Sequence, residues 1–267
     1  MEDFNTLLFE LSSVDRLDIM LLIKKTPLKL SHISSKLDLT VQETSRNVER
    51  LADAKLIVKD VDALFHLTPY GEEVLSQLSG IRFLFTNREY FTTHKTNELP
   101  RLFESSLGLL ENCEPVKDVM IAFRNVEEMI ARAEEHVWIL TNQILASTIP
   151  YLVSALDRGA EFRLMMQKDY NPTKSIRDLV SNPAFAKAVR TKKMDFRFLN
   201  KIPIFVCISE KEVSALAFHD INGKLDYTGF KSERNEILEW SKEIFNYYWN
   251  KASKQIPDQL TNLDPTC

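Results

Sequence analysis

Apolar residues recur every three or four positions near the start of the chain, the spacing of helices that bury one face. This spacing predicts three helices, at residues 13–25, 30–37 and about 41–54. Short apolar runs at 56–59 and 64–67 then predict a β-hairpin. Thr68 and Pro69 are typical of a helix start, and the helix they begin is expected to reach about residue 91.

The third helix has two faces of different character. Its first residues, Thr40-Val-Gln-Glu43, form a capping box, in which threonine and glutamate cap each other's backbone amides. The face expected to pack inward consists of Val41, Thr44, Val48 and Leu51. The opposite, polar face consists of Gln42, Ser45, Arg46, Glu49 and Arg50.

From residue 116 onward, helical patterns alternate with short strand patterns. Helices are predicted near residues 116–134, 148–158, 173–189 and 236–253. Strands are predicted at residues 137–141, 161–166, 195–198, 205–209, 213–218 and 225–230. Asn222-Gly223, between the last two strands, predicts a hairpin turn. This order predicts an α/β domain whose sheet carries an antiparallel meander at one side.

The fold class expected is therefore α+β multidomain, with an N-terminal winged helix-turn-helix and a C-terminal α/β domain with a mixed sheet. The first domain follows from the order helix, helix, turn, helix, hairpin, helix. The expected segments are a winged helix-turn-helix domain with a dimerisation helix at 1–92, a connector at 93–115 with a helix over 99–110, an α/β effector-like domain at 116–256, and a flexible tail at 257–267.

A winged helix-turn-helix presents its third helix to the major groove of DNA. Gln42, Ser45 and Arg46 lie on the early exposed turns, where base edges are met, and Glu49 shares that face. Phosphate contacts are expected from Lys36, Thr40, Arg50 and Lys59. These residues predict double-stranded DNA as the partner, while a protein-interaction scaffold remains the alternative use of such a domain.

The excess of acidic residues in the first module opposes tight DNA binding by a single copy. Residues 1–80 contain nine basic and thirteen acidic side chains, and the wing tip carries two aspartates. A wing that follows the DNA backbone is normally basic. We therefore expect the helix to carry the contacts and a homodimer to supply the affinity. The expected interface is the helix at 68–91, alone or together with the helix at 13–25. Its apolar residues are Val74, Leu75, Leu78, Ile81, Phe83, Leu84 and Phe85.

Two sequence elements in this module lie at a family-specific spacing. They are RxxxRLxxAxLI and LTxxG, within LSHISSKLDLTVQETSRNVERLADAKLI and the following FHLTPYG. Residues 30–71 thereby resemble the ArsR-like winged-helix regulators found widely in archaea. The resemblance implies a DNA-binding transcription regulator. ArsR-type chains often bind a metal, but no histidine and cysteine cluster occurs in this module, so no metal site is expected.

The C-terminal module carries HDINGKLDYTGFKS and ILEWSKEIFNYYWNKA. Residues 116–252 resemble the effector-like domain of archaeal regulators typified by the methanogenesis regulatory protein of filamentous methanogens, which is similar to the phospholipase-D-like domain of TrmB-type regulators. Catalysis by a phospholipase D requires an HxK pair. Here the first lysine after His219 is Lys224, so the HxK spacing is absent. The resemblance therefore implies a relative that is not an enzyme, and a phosphodiesterase is the less favoured alternative.

A ligand site is expected where strands 137–141 and 161–166 end, because ligands bind outside the carboxyl ends of parallel strands. The polar residues there are Asn142, Gln143, Lys168 and Tyr170. Donors, a cation and an aromatic ring together favour a small polar or anionic effector.

Composition and cysteine spacing narrow the classes of protein to which the chain can belong. Hydrophobic residues make up 44% and charged residues 27%, as in ordinary globular proteins. The start of the chain lacks a secretory signal pattern, and the longest apolar run, 202–208, is too short to cross a membrane. The three cysteines form no CxxC pair, so neither disulfides nor zinc are expected. A cytoplasmic protein without a cofactor is predicted.

Overall fold

The computed structural model describes residues 4–171, 174, 177 and 182–255, and the chain falls into two units. The division lies between Arg82 and Phe83, whereas the sequence predicts a first domain over residues 1–92. Each unit has its own hydrophobic core. No helix of the described part combines the length and apolar character needed to cross a membrane. The predicted tail at 257–267 lies outside the described residues.

The first unit is built from helices and one antiparallel hairpin. Its helices are α1 (Phe4–Leu11), α2 (Val14–Lys25), α3 (Leu30–Leu37), α4 (Val41–Asp53) and α5 (Pro69–Thr86), which contains the division between the units. Its strands are β1 (Ile57–Lys59) and β2 (Phe65–Leu67). These elements confirm the predicted order, and α1 is an addition that the sequence analysis did not predict.

The predicted capping box starts α4. The Thr40 hydroxyl accepts from the Glu43 backbone N–H at 3.2 Å, and the Glu43 carboxylate accepts from the Thr40 N–H at 3.0 Å. Thr44, Val48 and Leu51 are buried, as expected. The prediction for Val41 is wrong, because this side chain is 59% exposed. Helical side chains point toward the N-terminus, so the side chain of the first residue projects past the core.

The LTxxG pattern is explained by a close approach of two backbones. The Thr68 hydroxyl accepts from the Gly71 N–H at 3.0 Å and donates to the Lys55 carbonyl at 2.6 Å. A Cβ atom at position 71 would lie 2.0 Å from the carbonyl oxygen of Leu56. Any side chain there would therefore push α5 away from the residues that enter β1.

The helix predicted to reach residue 91 ends earlier, at Thr86. A short separate helix, α6 (Arg88–Phe91), follows it. Between the two, the side-chain amide of Asn87 donates to the backbone carbonyl of Phe83 at 3.0 Å. Asparagine side chains compete with helical hydrogen bonding in this way, which accounts for the break.

The second unit contains a large sheet, a small strand pair and the remaining helices. The helices are α7 (Arg101–Ser105), α8 (Val119–Arg132), α9 (Ile149–Arg158), α10 (Pro183–Arg190) and α11 (Asn235–Lys251). The strands are β3 (His94–Lys95), β4 (Glu114–Val116), β5 (His136–Leu140), β6 (Glu161–Gln167), β7 (Met194–Leu199), β8 (Phe205–Ser209), β9 (Val213–Ala217), β10 (His219–Asp220) and β11 (Gly229–Ser232).

Several predicted bounds change in this unit. The helix expected over 99–110 divides at Ser106 into α7 and a 3-10 helix, Leu107–Asn112. The helix expected from residue 116 begins at Val119, because the Asp118 carboxylate caps it. Much of the helix expected over 173–189 lies outside the described residues.

The sheet is mixed, as predicted. In the described residues its order is β4, β11, β9, β8, β5, β6 and β7. Strands β5, β6 and β7 are parallel, and all other neighbours are antiparallel. The predicted parallel pair joined by a helix is therefore confirmed as β5, α9 and β6. The edge strand β4 lies in the segment that was expected to be a helical connector.

The predicted hairpin at Asn222-Gly223 needs correction. The turn exists, but it follows β10, which pairs with β3 rather than with the large sheet. The Asp220 carboxylate closes the turn by accepting from the backbone N–H groups of Asn222 at 2.9 Å and Lys224 at 2.7 Å. The sheet strand after the turn is β11, four residues later than the predicted start at residue 225.

The two faces of the sheet are covered by different helices. Side chains alternate between faces along a strand. Ile139 and Cys207 are direct neighbours that face α8 and α9. Trp138, one residue earlier on β5, stacks on Phe245 of α11 with ring centroids 5.2 Å apart. The sheet is thus covered by α8, α9 and α10 on one side and by α11 on the other.

We predict that Gly71→Ala destabilises the first unit. The added methyl overlaps the Leu56 carbonyl, and overpacking of this kind typically costs about 1–3 kcal/mol. Urea unfolding measures the loss. The exposed Ser76→Ala on the same helix is the control and should change the free energy of unfolding by less than about 0.5 kcal/mol. Equal stability of both variants would contradict the backbone contact.

Candidate functional site

The polar face of α4 is open to solvent. Gln42, Arg46 and Glu49 are exposed, and Ser45 is half-buried. The Ser45 hydroxyl donates to the Glu49 carboxylate at 3.2 Å, so these two side chains are coupled. Gln42 and Arg46 are one helical turn apart and therefore lie side by side on this face. The structure thus places two of the three side chains expected at base edges side by side, while Ser45, the third, is bonded to Glu49.

Arg50 lies elsewhere, in a bidentate pair with a carboxylate of α1. Its Nε is 3.0 Å from Oε2 of Glu10, and its Nη2 is 2.6 Å from Oε1. Arg16 of α2 also contacts this carboxylate, with its Nε 3.0 Å from Oε2. Glu10 is only 5% exposed. Sequence reasoning missed this cluster because α1 was not predicted and the partners are 40 residues apart.

Arg50 and Arg16 stabilise the ionised form of the buried Glu10 carboxylate. The hydrogen bond from Arg50 lowers the pKa of the Glu10 carboxyl, and the charges of Arg16 and Arg50 act in the same direction against the opposing effect of burial. Arg16 additionally donates to the backbone carbonyls of Glu10 at 2.8 Å and Phe9 at 2.9 Å. The cluster therefore ties α1, α2 and the last turn of α4 together.

The other predicted phosphate contacts differ in their surroundings. Lys36 is exposed on the last turn of α3. The Thr40 hydroxyl takes part in the capping box, where it also donates to Glu43 at 2.7 Å. The Lys59 ammonium lies 5.8 Å from the centre of the Phe65 ring. Lys36 and Lys59 remain accessible, whereas Thr40 and Arg50 have structural roles.

The wing is shaped by one aspartate. The Asp60 carboxylate accepts from the backbone N–H groups of Asp62 at 2.9 Å and Leu64 at 2.8 Å, and it contacts His66 Nε2 at 2.5 Å. The bond with His66 lowers the pKa of Asp60, and the two backbone bonds do so as well. Val61 at the tip is exposed. The wing tip is therefore anionic.

The residues predicted at the strand ends of the second unit separate into two groups. Gln143 follows β5 and lines a cavity beneath the sheet edge, and the adjacent Asn142 accepts a hydrogen bond from the Tyr227 hydroxyl. Lys168 is exposed after β6, and Tyr170 is buried, which raises the pKa of its phenol. Neither Lys168 nor Tyr170 belongs to the described cavity wall.

The cavity lies between the sheet and the helices α8, α9 and α10 and has a volume of about 80 Å³. Its wall is formed mainly by aromatic and aliphatic side chains of those helices and of strands β5 to β8. This apolar wall differs from the predicted site, which was expected to bind a small polar or anionic effector.

A few polar groups lie at one side of this cavity. The Thr141 hydroxyl donates to the Gln143 carbonyl at 2.8 Å. Burial raises the pKa of the Tyr227 phenol, and hydrogen bonds with the Gln143 and Thr141 side chains oppose this effect. Burial also raises the pKa of the Cys207 thiol in the wall. Both groups are therefore protonated and uncharged near neutral pH.

His219 and Lys224, the two residues compared with the phospholipase-D motif, differ in their exposure to solvent. His219 is buried, and this burial lowers its pKa. Lys224 is exposed, on the turn closed by Asp220. Among the described residues, no three His, Cys, Asp or Glu side chains are grouped as metal ligands would be.

Residues 122–251 match the family model described as methanogenesis regulatory protein FilR1, middle domain. The match covers just under half of the chain and lies within the second unit. It begins inside α8 and ends at the last residue of α11, so it spans the sheet from β5 to β11. A comparison with curated proteins gives no match.

Solved structures give distant similarities. An archaeal chromatin protein, TrmBL2, described as showing a novel mode of DNA binding, is 14% identical over 93% of this chain and 98% of its own, with a TM-score of 0.41. The phospholipase D family member Nuc from Salmonella typhimurium is 14% identical over 48% and 86%, with a TM-score of 0.36. Both TM-scores are below 0.5, so the fold of this chain is established by its own strand pairing.

We predict that Glu10→Gln lowers the free energy of unfolding by about 3 kcal/mol at pH 7, because removing one partner leaves a buried charge uncompensated. The pKa of Glu10 lies below its ordinary value of 4.5, so its contribution is complete above that pH and is lost as the pH falls through the lowered pKa. Chemical unfolding between pH 3 and 7 measures this. The exposed Glu73→Gln is the control. A difference from wild type that does not shrink in acid would contradict the ionic role.

Proposed function

We propose that this chain is a sequence-specific DNA-binding transcription regulator that acts as a homodimer. The observation that carries the proposal is the open polar face of α4, which presents Gln42 and Arg46 on a winged helix-turn-helix. The similarity of the second unit to the middle domain of a methanogenesis regulatory protein supports a regulatory role.

In this proposal α4 enters the major groove. Helix-turn-helix proteins contact bases with the N-terminal part of the recognition helix, which is where Gln42 and Arg46 lie. Arginine pairs in a bidentate manner with O6 and N7 of guanine, and glutamine pairs with adenine. Lys36 and Lys59 contact phosphates, while Arg50 holds α4 against α1 through Glu10.

Affinity requires more cations than one module provides. Residues 1–80 carry four more acidic than basic side chains, and the wing tip is anionic. Contacts with phosphates supply most of the sequence-independent affinity for DNA, so a single module should bind weakly. A two-fold dimer doubles the contacts and reads two half-sites.

The helix α5 is proposed as the dimer interface. Of its predicted interface residues, Leu75 and Phe83 are buried in the cores of their own units. Val74 and Leu78 pack against the core of the first unit. Ile81, Leu84 and Phe85 are exposed and lie along one stretch of the helix. These three exposed side chains therefore support pairing with a second copy.

We predict that Arg46→Ala weakens binding to the specific site by about 1–3 kcal/mol and binding to random DNA by less, since one bidentate base contact is lost. Fluorescence anisotropy with a selected site and a scrambled duplex measures both losses. Lys24→Ala, which removes an exposed cation of α2, is the matched control and should affect both duplexes equally. If Arg46→Ala weakens binding to both duplexes equally, Arg46 contacts a phosphate and not a base.

We predict that the double variant Ile81→Glu with Phe85→Glu is monomeric. These side chains are 61% and 68% exposed, one helical turn apart, so their replacement leaves both cores intact and places like charges across a two-fold interface. Light scattering at micromolar concentration measures the mass, and anisotropy measures the DNA affinity. A monomeric wild type with full DNA affinity would contradict the dimer.

A further inference from the structure

The wall of the cavity in the second unit has the shape and chemistry of a site for an apolar group. Phe162 and Phe196 are contributed by the neighbouring strands β6 and β7, Phe123 by α8, Leu152 by α9 and Phe185 by α10. Aromatic side chains on several sides offer both ring edges and ring faces. An aryl or short branched alkyl group gains apolar contact from every direction in such a space.

The polar groups of the cavity are uncharged and partly satisfied. Thr141 donates to the Gln143 carbonyl, and Tyr227 donates to the Asn142 side chain. A hydroxyl oxygen has two acceptor positions, and a glutamine side chain both donates and accepts. The Thr141, Gln143 and Tyr227 side chains can therefore serve one polar group of a ligand.

A charged ligand finds no counter-ion in the described wall. Arg163 is the charged residue there, and its guanidinium lies over the rings of Trp138 at 4.6 Å and Trp249 at 5.6 Å. Trp138 points to the other face of the sheet, toward α11. Burying an ionic group without a partner is strongly unfavourable, so the cavity selects against anions and cations.

We propose that this cavity binds a small uncharged molecule that has an aryl or short branched alkyl group and one hydroxyl group. The apolar group lies between Leu152 and the phenylalanines of the sheet, and the hydroxyl bonds to the Thr141, Gln143 and Tyr227 cluster. Binding does not require the first unit. Any effect of the ligand on DNA affinity rests on the function proposed above.

Methionine methyl groups provide a direct test. Met166 and Met194 line the cavity, whereas Met165 lies on the opposite face of the sheet, one residue away. Full-length protein labelled with 13C in its methionine methyls is titrated with benzyl alcohol, the neutral probe. The Met166 and Met194 resonances should shift and saturate, and the Met165 resonance should not. Benzoate and benzylamine at equal concentrations should cause no shift.

A matched pair of variants tests the location. Leu152→Phe fills the cavity, so the binding of benzyl alcohol should weaken at least tenfold. Leu156→Phe makes the same change one turn later on α9, outside the described wall, and should keep the wild-type affinity. Unchanged affinity of Leu152→Phe, or equal shifts of Met165 and Met166, would overturn the proposal. If a variant fails to fold, the wild-type methyl titration alone decides whether benzyl alcohol binds in the cavity.

These experiments distinguish a failure of the cavity proposal from a failure of the DNA-binding proposal. DNA binding without saturable methyl shifts overturns the cavity proposal alone. Saturable shifts in a protein that binds no DNA support the cavity and overturn the DNA-binding proposal. Saturation by benzoate at the same concentration as benzyl alcohol overturns the selection against charge.

Discussion

The surface that α4 presents depends on how its two ends are fixed. At the first turn, Thr40 and Glu43 satisfy each other's backbone amides and set where the helix begins. At the last turn, the buried Glu10 carboxylate holds Arg50 and, through Arg16, joins α4 to α1 and α2. With both ends held, the buried side of the helix is determined, and Gln42 and Arg46 point to solvent.

The local features of the fold could be predicted from the sequence, and the long-range pairings could not. The capping box and the bounds of α3 involve residues a few positions apart, so their pattern is visible in the chain. The pairing of Glu10 with Arg50, or of β3 with β10, depends on which surfaces meet in space. No short-range pattern encodes such a meeting.

The candidate sites show the same limit. Strands β5 and β6 were predicted from the alternation of helical and strand patterns, and Gln143, which was expected to follow β5, lines the cavity. The aromatic residues that give the cavity its chemistry were not predicted as site residues, because an apolar side chain that faces a cavity and one that faces a packed neighbour have the same sequence pattern. Tyr227 joins the site from a loop after the misassigned hairpin turn.

In the proposed function, α4 reads guanine in the major groove through Arg46. Methylation interference on a DNA site selected from a random pool tests it most directly, because a methyl group on guanine N7 blocks the bidentate contact. We expect a defined sequence with one sensitive guanine in each of two symmetric half-sites, and loss of that sensitivity in Arg46→Ala. Selection that enriches no sequence, or a pattern unchanged in the variant, would contradict it.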